Sequence, residues 1–154
     1  MKKQTYKELL GVTRIGNRAV KKAQEENMPF FSITDFSAIP GHGVKGTIDG
    51  NIYYFGNRKL ITDKVGLSLN ELEEWKLQKL EEEGKTAMIL ASDKEVLGAV
   101  AVADTVKETS REAIEKLIKR GIEIYMITGD NRRTAQAIAG QLGITNVLAE
   151  VLPE

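Results

Sequence analysis

Met126-Ile127-Thr128-Gly129-Asp130-Asn131 runs an apolar strand straight into a turn of small polar residues, and the periodic stretch Arg132 to Leu142 that follows predicts a helix. Strand, tight turn and helix in this order fold as an α/β unit with the turn at the carboxyl end of the strand. That geometry aims the Thr128 hydroxyl and the N–H groups of the turn at one point, where the helix adds the positive end of its dipole. Phosphate is the ligand such a turn suits, through Thr128, Gly129 and Asp130. Asp130 has a second reading as the N-cap of the helix, a task that suits a short carboxylate. The sequence leaves both readings open.

The neighbouring residues extend the unit in both directions. Thr105-Val106-Lys107-Glu108 predicts a capping box for a helix with Ala113, Ile114, Leu117 and Ile118 turned inward and Gly121 as its stop. A strand over Ile122 to Ile127 follows. After the helix at 132–142, with Ala135, Ile138, Ala139 and Leu142 inward, Gly143 leads to a last short strand, Asn146 to Leu148. Helix, strand, helix, strand belongs to a parallel α/β sheet. Two parallel strands cannot by themselves complete such a domain. The segment is therefore expected to be an incomplete α/β unit with an unpaired edge and an apolar face, either packed on the rest of the chain or associated with a second copy.

Residues 1–103 follow a different grammar. A helix is predicted from about Asn17 to Glu26 and is closed by Pro29, after which Phe30 to Phe36 reads as an edge or half-buried strand. Ala38 to Gly46 is a glycine-rich turn. Val44 to Ile48 and Ile52 to Phe55 form a hairpin around Asp49-Gly50-Asn51, a strong tight-turn signal. Ser68-Leu69-Asn70-Glu71 supplies a capping box for a helix with the stripe Leu69, Leu72, the stem of Lys76 and Leu80, stopped by Gly84. Lys85 to Ser92 and Val96 to Ala103 make a second hairpin around Asp93-Lys94-Glu95. The predicted fold class is α+β: an antiparallel sheet flanked by helices over residues 1–103, followed by the incomplete α/β segment at 104–154.

Composition narrows the functions. Twenty-two basic residues balance twenty-two acidic ones among 154, so nothing points to an electrostatic search for nucleic acid or an anionic membrane. With no cysteine and one histidine, thiolate metal sites, a cysteine nucleophile and a Ser-His-Asp triad are excluded or hard to build, and no metal-ligand set is expected. No apolar run reaches the roughly 18 to 20 residues that a membrane helix needs, and Met1-Lys2-Lys3-Gln4 does not open a signal peptide, so a cytoplasmic location is expected. Gly84-Lys85-Thr86 suggests a P-loop core, but the glycine required five residues earlier is Lys79, and that reading fails. Gly41 and Gly43 admit two readings: a bend or bulge between strands, or a place where a ligand approaches backbone closely. His42, alone in a turn, reads as solvated.

Taken in order, Gly41-His42-Gly43-Val44, Tyr54-Phe55-Gly56-Asn57-Arg58, Gly84-Lys85-Thr86, Val102-Ala103-Asp104 and Met126 to Ala135 resemble the cytoplasmic ATP-binding region of heavy-metal P-type ATPases, the copper-transporting pumps above all. The resemblance covers about Met28 to Glu154. It implies a nucleotide-binding domain at 1–103, inserted into a haloacid-dehalogenase-like phosphorylation domain of which 104–154 is a part, with Asp104 at the hinge. It further implies that Gly41, Gly43, Val44, Gly56 and Asn57 line an ATP site, and that Thr128, Gly129 and Asp130 hold the phosphoryl group. ATP, with Mg2+ in the full-length protein, would be the cofactor, and the phosphorylation domain and membrane helices of a pump would be the partners. A bulky side chain at Gly43 is then expected to block the purine while sparing the fold, provided the backbone angles there permit a side chain.

Departures from the family pattern set the expected limits. The Asp-Lys-Thr-Gly-Thr sequence that carries the phosphorylated aspartate is absent, as are the later lysine and the Gly-Asp-Gly-x-Asn-Asp segment that holds magnesium. Where the family carries Ser-Glu-His-Pro for adenine, this chain reads Val12-Thr13-Arg14-Ile15-Gly16-Asn17. The implied function is thus the ATP-binding module of a hydrolase and ion translocase, positioning ATP for an aspartate not present in this chain, which alone is expected to be inactive. The alternative is a free-standing, non-catalytic relative that binds nucleotide or a partner. A small haloacid-dehalogenase-like phosphatase is disfavoured, because such enzymes need an aspartate nucleophile at the end of their first strand and none stands in that context here.

Overall fold

The computed structural model describes residues 14–103 and 106–151. The expected hinge Asp104, the Thr105 side of the predicted capping box and the first thirteen residues lie outside them. The described chain forms two compact units, one comprising residues up to Leu69 together with Met88–Val102, the other Asn70–Ala87 together with residues from Ala103 onward. No helix among the described residues is long and apolar enough to cross a membrane.

The first unit opens with helix α1, Arg14–Glu25, which begins three residues before the predicted start. A five-stranded sheet follows in the order β1 (Thr34–Ile39), β2 (Gly43–Ile48), β3 (Asn51–Gly56), β4 (Lys85–Ser92), β5 (Val96–Ala103), with neighbours in sequence pairing in space. The antiparallel sheet that the two hairpin patterns predict is therefore the fold observed. Ile48 pairs with Asn51 across Asp49 and Gly50, both at positive φ (49° and 80°), as a primed two-residue turn requires. β1 lies later than the Phe30 to Phe36 prediction. Phe30 and Phe31 are exposed, and the pairing with β2 shifts register between Thr34 and Ser37, where Asp35 takes a φ of 49°. Only Pro40 to His42 remain outside strands in the predicted glycine-rich turn. A short π-helix, Leu60–Val65, places Leu60 and Ile61 in full burial as the centre of this unit's core, with Ile89 and Ala91 from β4.

The second unit contains α2 (Glu71–Glu82), the first residues of β4, α3 (Glu108–Lys119), β6 (Tyr125–Ile127), α4 (Arg132–Leu142) and β7 (Asn146–Leu148). β6 and β7 pair in parallel, Met126 opposite Val147. The capping box of α2 is Asn70 with Glu73, not Ser68 with Glu71: Asn70 Oδ1 accepts from Glu73 N at 2.9 Å and Glu73 Oε2 from Asn70 N at 2.8 Å. The predicted stripe is likewise displaced. Leu77 and Glu81 are the buried positions and Leu72 is exposed, with α2 packed on α4 and Glu81 paired with Arg133 of that helix. Helix α3 starts at Glu108 with Lys107 as N-cap and no side-chain cap, so the predicted box at Thr105 does not define its start. Its Leu117 and Ile118, expected inward, are exposed.

Candidate functional site

In the first unit, all five residues expected at the nucleotide site converge on the open end of the β2–β3 hairpin. Gly43 pairs with Gly56 and Val44 with Phe55. Asn57 then closes the end in three directions. Its N–H donates to the His42 carbonyl at 2.8 Å, its side-chain amide donates to the Gly41 carbonyl at 3.0 Å, and its Oδ1 accepts from Leu60 N at 3.0 Å. Both functions of the Asn57 side chain are thus spent on fixing the Gly41 turn and the start of the π-helix. Gly41, at φ 71°, is exposed. His42 is half-buried rather than fully solvated, and its Nδ1–H donates to the Pro40 carbonyl at 2.8 Å.

Gly43 and Gly56 have an architectural reason of their own. A Cβ on Gly43 would stand 2.3 Å from the Phe55 carbonyl oxygen and 2.5 Å from Gly56 Cα, at a φ of +153°. One on Gly56 would stand 2.3 Å from the His42 carbonyl oxygen and 2.4 Å from Leu60 Cδ2. The proviso attached to a bulky residue at Gly43 therefore fails, because neither the angles nor the space permit a side chain. Gly43 is in regular register with Gly56 rather than in a bulge, and the close approach of β2 and β3 there requires glycine at both positions.

In the second unit, the turn after β6 is held by its own backbone: Thr128 N donates to the Leu148 carbonyl, Glu150 N to the Asp130 carbonyl and Val151 N to the Thr128 carbonyl, at 2.9 to 3.1 Å. The Thr128 hydroxyl donates to Asp130 Oδ2 at 2.9 Å and accepts from Asp130 N at 3.1 Å. Asn131, not Asp130, caps α4, with its Oδ1 accepting from Thr134 N at 3.0 Å. That corrects the cap reading of Asp130 and leaves its carboxylate for side-chain partners. Gly129 is exposed beside Thr128, so the turn offers backbone at its surface.

Sequence reasoning missed three contributors. Thr86 Oγ1 donates to the other Asp130 oxygen, Oδ1, at 3.1 Å. Thr134, fully buried, donates to the Lys85 carbonyl at 2.9 Å and accepts from Asn131 Nδ2 at 3.0 Å. Glu81, also buried, accepts from Arg133 at 3.2 Å. The signal that marked one of these positions, Thr86, was Gly84-Lys85-Thr86, flagged for phosphate and rejected as a P-loop. Its second and third residues instead buttress the turn.

The comparisons with known proteins agree with these motifs. The family model described as haloacid dehalogenase-like hydrolase matches residues 5–154. A probable copper-importing P-type ATPase A of Enterococcus hirae is 50% identical over 124 residues, 79% of this chain and 17% of that protein. A probable cadmium-transporting ATPase of Alkalihalophilus pseudofirmus is 41% identical over 143 residues, 91% of this chain and 20% of that protein. The chain thus spans about a fifth of the length of these relatives. Among solved structures, the catalytic domain of the CPx-ATPase CopB-B matches 95% of this chain and 48% of its own, with a TM-score of 0.62 at 19% identity, a likeness of fold. The resemblance to heavy-metal P-type ATPases read from the motifs is therefore established, as is the fold class.

Proposed function

We propose that this chain, which belongs to the haloacid dehalogenase-like hydrolase family, is the ATP-binding cytoplasmic module of a heavy-metal P-type ATPase of the copper type. The observation that carries the reading is the convergence of Gly41, Gly43, Val44, Gly56 and Asn57 at one hairpin end. Exposed Gly41 lets a purine or ribose approach backbone with no side chain in the way. Half-buried Val44 offers apolar contact, and Asn57 holds the loop in its receptive form. Gly43 and Gly56 act by allowing β2 and β3 to approach closely beneath it.

In this reading residues 1–103 form the nucleotide-binding domain and 104–154 a part of the phosphorylation domain, joined at Asp104. Thr128, Gly129 and Asp130 face the transferred phosphoryl group. Bound ATP would bring its charge and Mg2+ to the site, while the acceptor aspartate and the magnesium-holding carboxylates stand on segments outside this sequence. Similarity to the Enterococcus relative favours copper as the ion of such a pump, while a cadmium-transporting protein is also 41% identical to this chain. An ATP titration followed at individual amides tests the reading, with shifts expected at 41–44 and 56–57.

The face of β6 and β7 supports the partners. Tyr125, Ile127 and Leu148 are exposed there, Ile127 at 65%, on a sheet that has two strands among the described residues. The remainder of the pump covers this face in the intact protein, and the isolated chain uses it to self-associate. Sedimentation at rising concentration is expected to show a growing dimer fraction that Ile127→Glu removes; a strictly concentration-independent monomer would contradict this.

A further inference from the structure

We infer that Thr86 is a positioning residue of the phosphate turn, acting through Asp130 on Thr128. The inference rests on the proposed phosphate role of Thr128 and Gly129. Asp130 carries a carboxylate beside a turn meant for an anion, which is self-defeating unless that carboxylate is oriented and its charge engaged. Each of its oxygens takes one hydroxyl proton: Oδ1 from Thr86 at 3.1 Å and Oδ2 from Thr128 at 2.9 Å. With Oδ1 held, Oδ2 is the oxygen left to fix Thr128, whose hydroxyl in turn accepts the Asp130 N–H at 3.1 Å. The neighbouring residue of the same strand reinforces the arrangement, since the Lys85 carbonyl accepts from Thr134 in the first turn of α4 at 2.9 Å. Two successive residues of β4 thereby brace the turn and the helix that follows it.

Without the Thr86 hydroxyl the carboxylate loses one of its two side-chain donors and is free to rotate. It then draws harder on Thr128 and presents more charge to an incoming phosphate, so binding weakens although Thr86 never touches the ligand.

The test uses the full chain, inorganic phosphate as probe, and backbone amide shifts of Gly129 and Asp130 as readout. Thr86→Val keeps the volume and removes the hydroxyl, while Thr86→Ser keeps the hydroxyl. The expected result is a moved Asp130 amide in Thr86→Val without phosphate, a phosphate dissociation constant raised about three- to tenfold, and recovery of both in Thr86→Ser. An Asp130 amide that moves while phosphate affinity stays unchanged, or a Thr86→Ser chain that fails to recover, overturns the positioning role and leaves the phosphate turn standing. Absence of any phosphate response in the unaltered chain overturns the phosphate reading itself, and this inference with it.

Discussion

Replacing Gly43 by valine strongly destabilises the five-stranded sheet rather than merely emptying a ligand site. Gly43 pairs with Gly56 at the end of β2 and β3, where a Cβ on Gly43 would lie 2.3 Å from the Phe55 carbonyl oxygen and 3.0 Å from Leu60 Cδ2. The first obstacle is backbone and cannot swing aside. The second is a side chain in full burial, with no room to yield. Overpacking and the unfavourable φ of +153° together cost on the order of 3 to 5 kcal/mol, a large share of the stability of a small domain. The melting temperature of the sheet-containing unit, followed by far-ultraviolet circular dichroism, is expected to fall by roughly 12 to 40 °C. A Gly43→Val chain that melts like the unaltered one yet no longer binds ATP would assign this glycine to the ligand alone.

The second large effect is an absence. Incubated with γ-labelled ATP and magnesium and then quenched in acid, the chain is expected to retain no label, where a complete pump would hold an acyl-phosphate. Positioning ATP contributes nothing to phosphoryl transfer without an in-line nucleophile. The Asp-Lys-Thr-Gly-Thr segment that would supply one is not in the sequence. Asp130 accepts hydroxyl hydrogen bonds from Thr86 and Thr128, which hold its carboxylate within the turn rather than in that sequence context. Label that survives acid and is released by hydroxylamine would show that an aspartate of this chain has taken over the role.

The hairpins were legible because their signals are local. Asp49-Gly50 fixes a turn type by its own backbone angles, and the apolar runs on either side of Asp93-Lys94-Glu95 begin and end where β4 and β5 do. Helix α4 was legible for the same reason, bounded by Asn131 and by Gly143 at φ 71°. The inward faces of α2 and α3 were not. An apolar stripe shows which side of a helix avoids water but not what lies against it. In α2 the burial went to Leu77 and to Glu81, a carboxylate retained by its pairing with Arg133 some fifty residues away, which no local pattern reveals. The residues proposed for the nucleotide site were marked by motif, yet the motif did not disclose that Asn57 is committed to Gly41 and Leu60. The role of Thr86 lay hidden because its partner, Asp130, is 44 residues distant.

The proposed function turns on where ATP binds. In an amide-resolved titration of the full chain with ATP, and the same titration repeated on Asn57→Ala, the account predicts saturable shifts centred on Gly41 to Val44 and on Gly56 and Asn57. Removing the Asn57 clasp, with its hydrogen bonds to the Gly41 carbonyl and Leu60 N, is predicted to weaken binding by about tenfold. Shifts confined to Thr128 through Asn131, or no saturable shift at any amide, would contradict it.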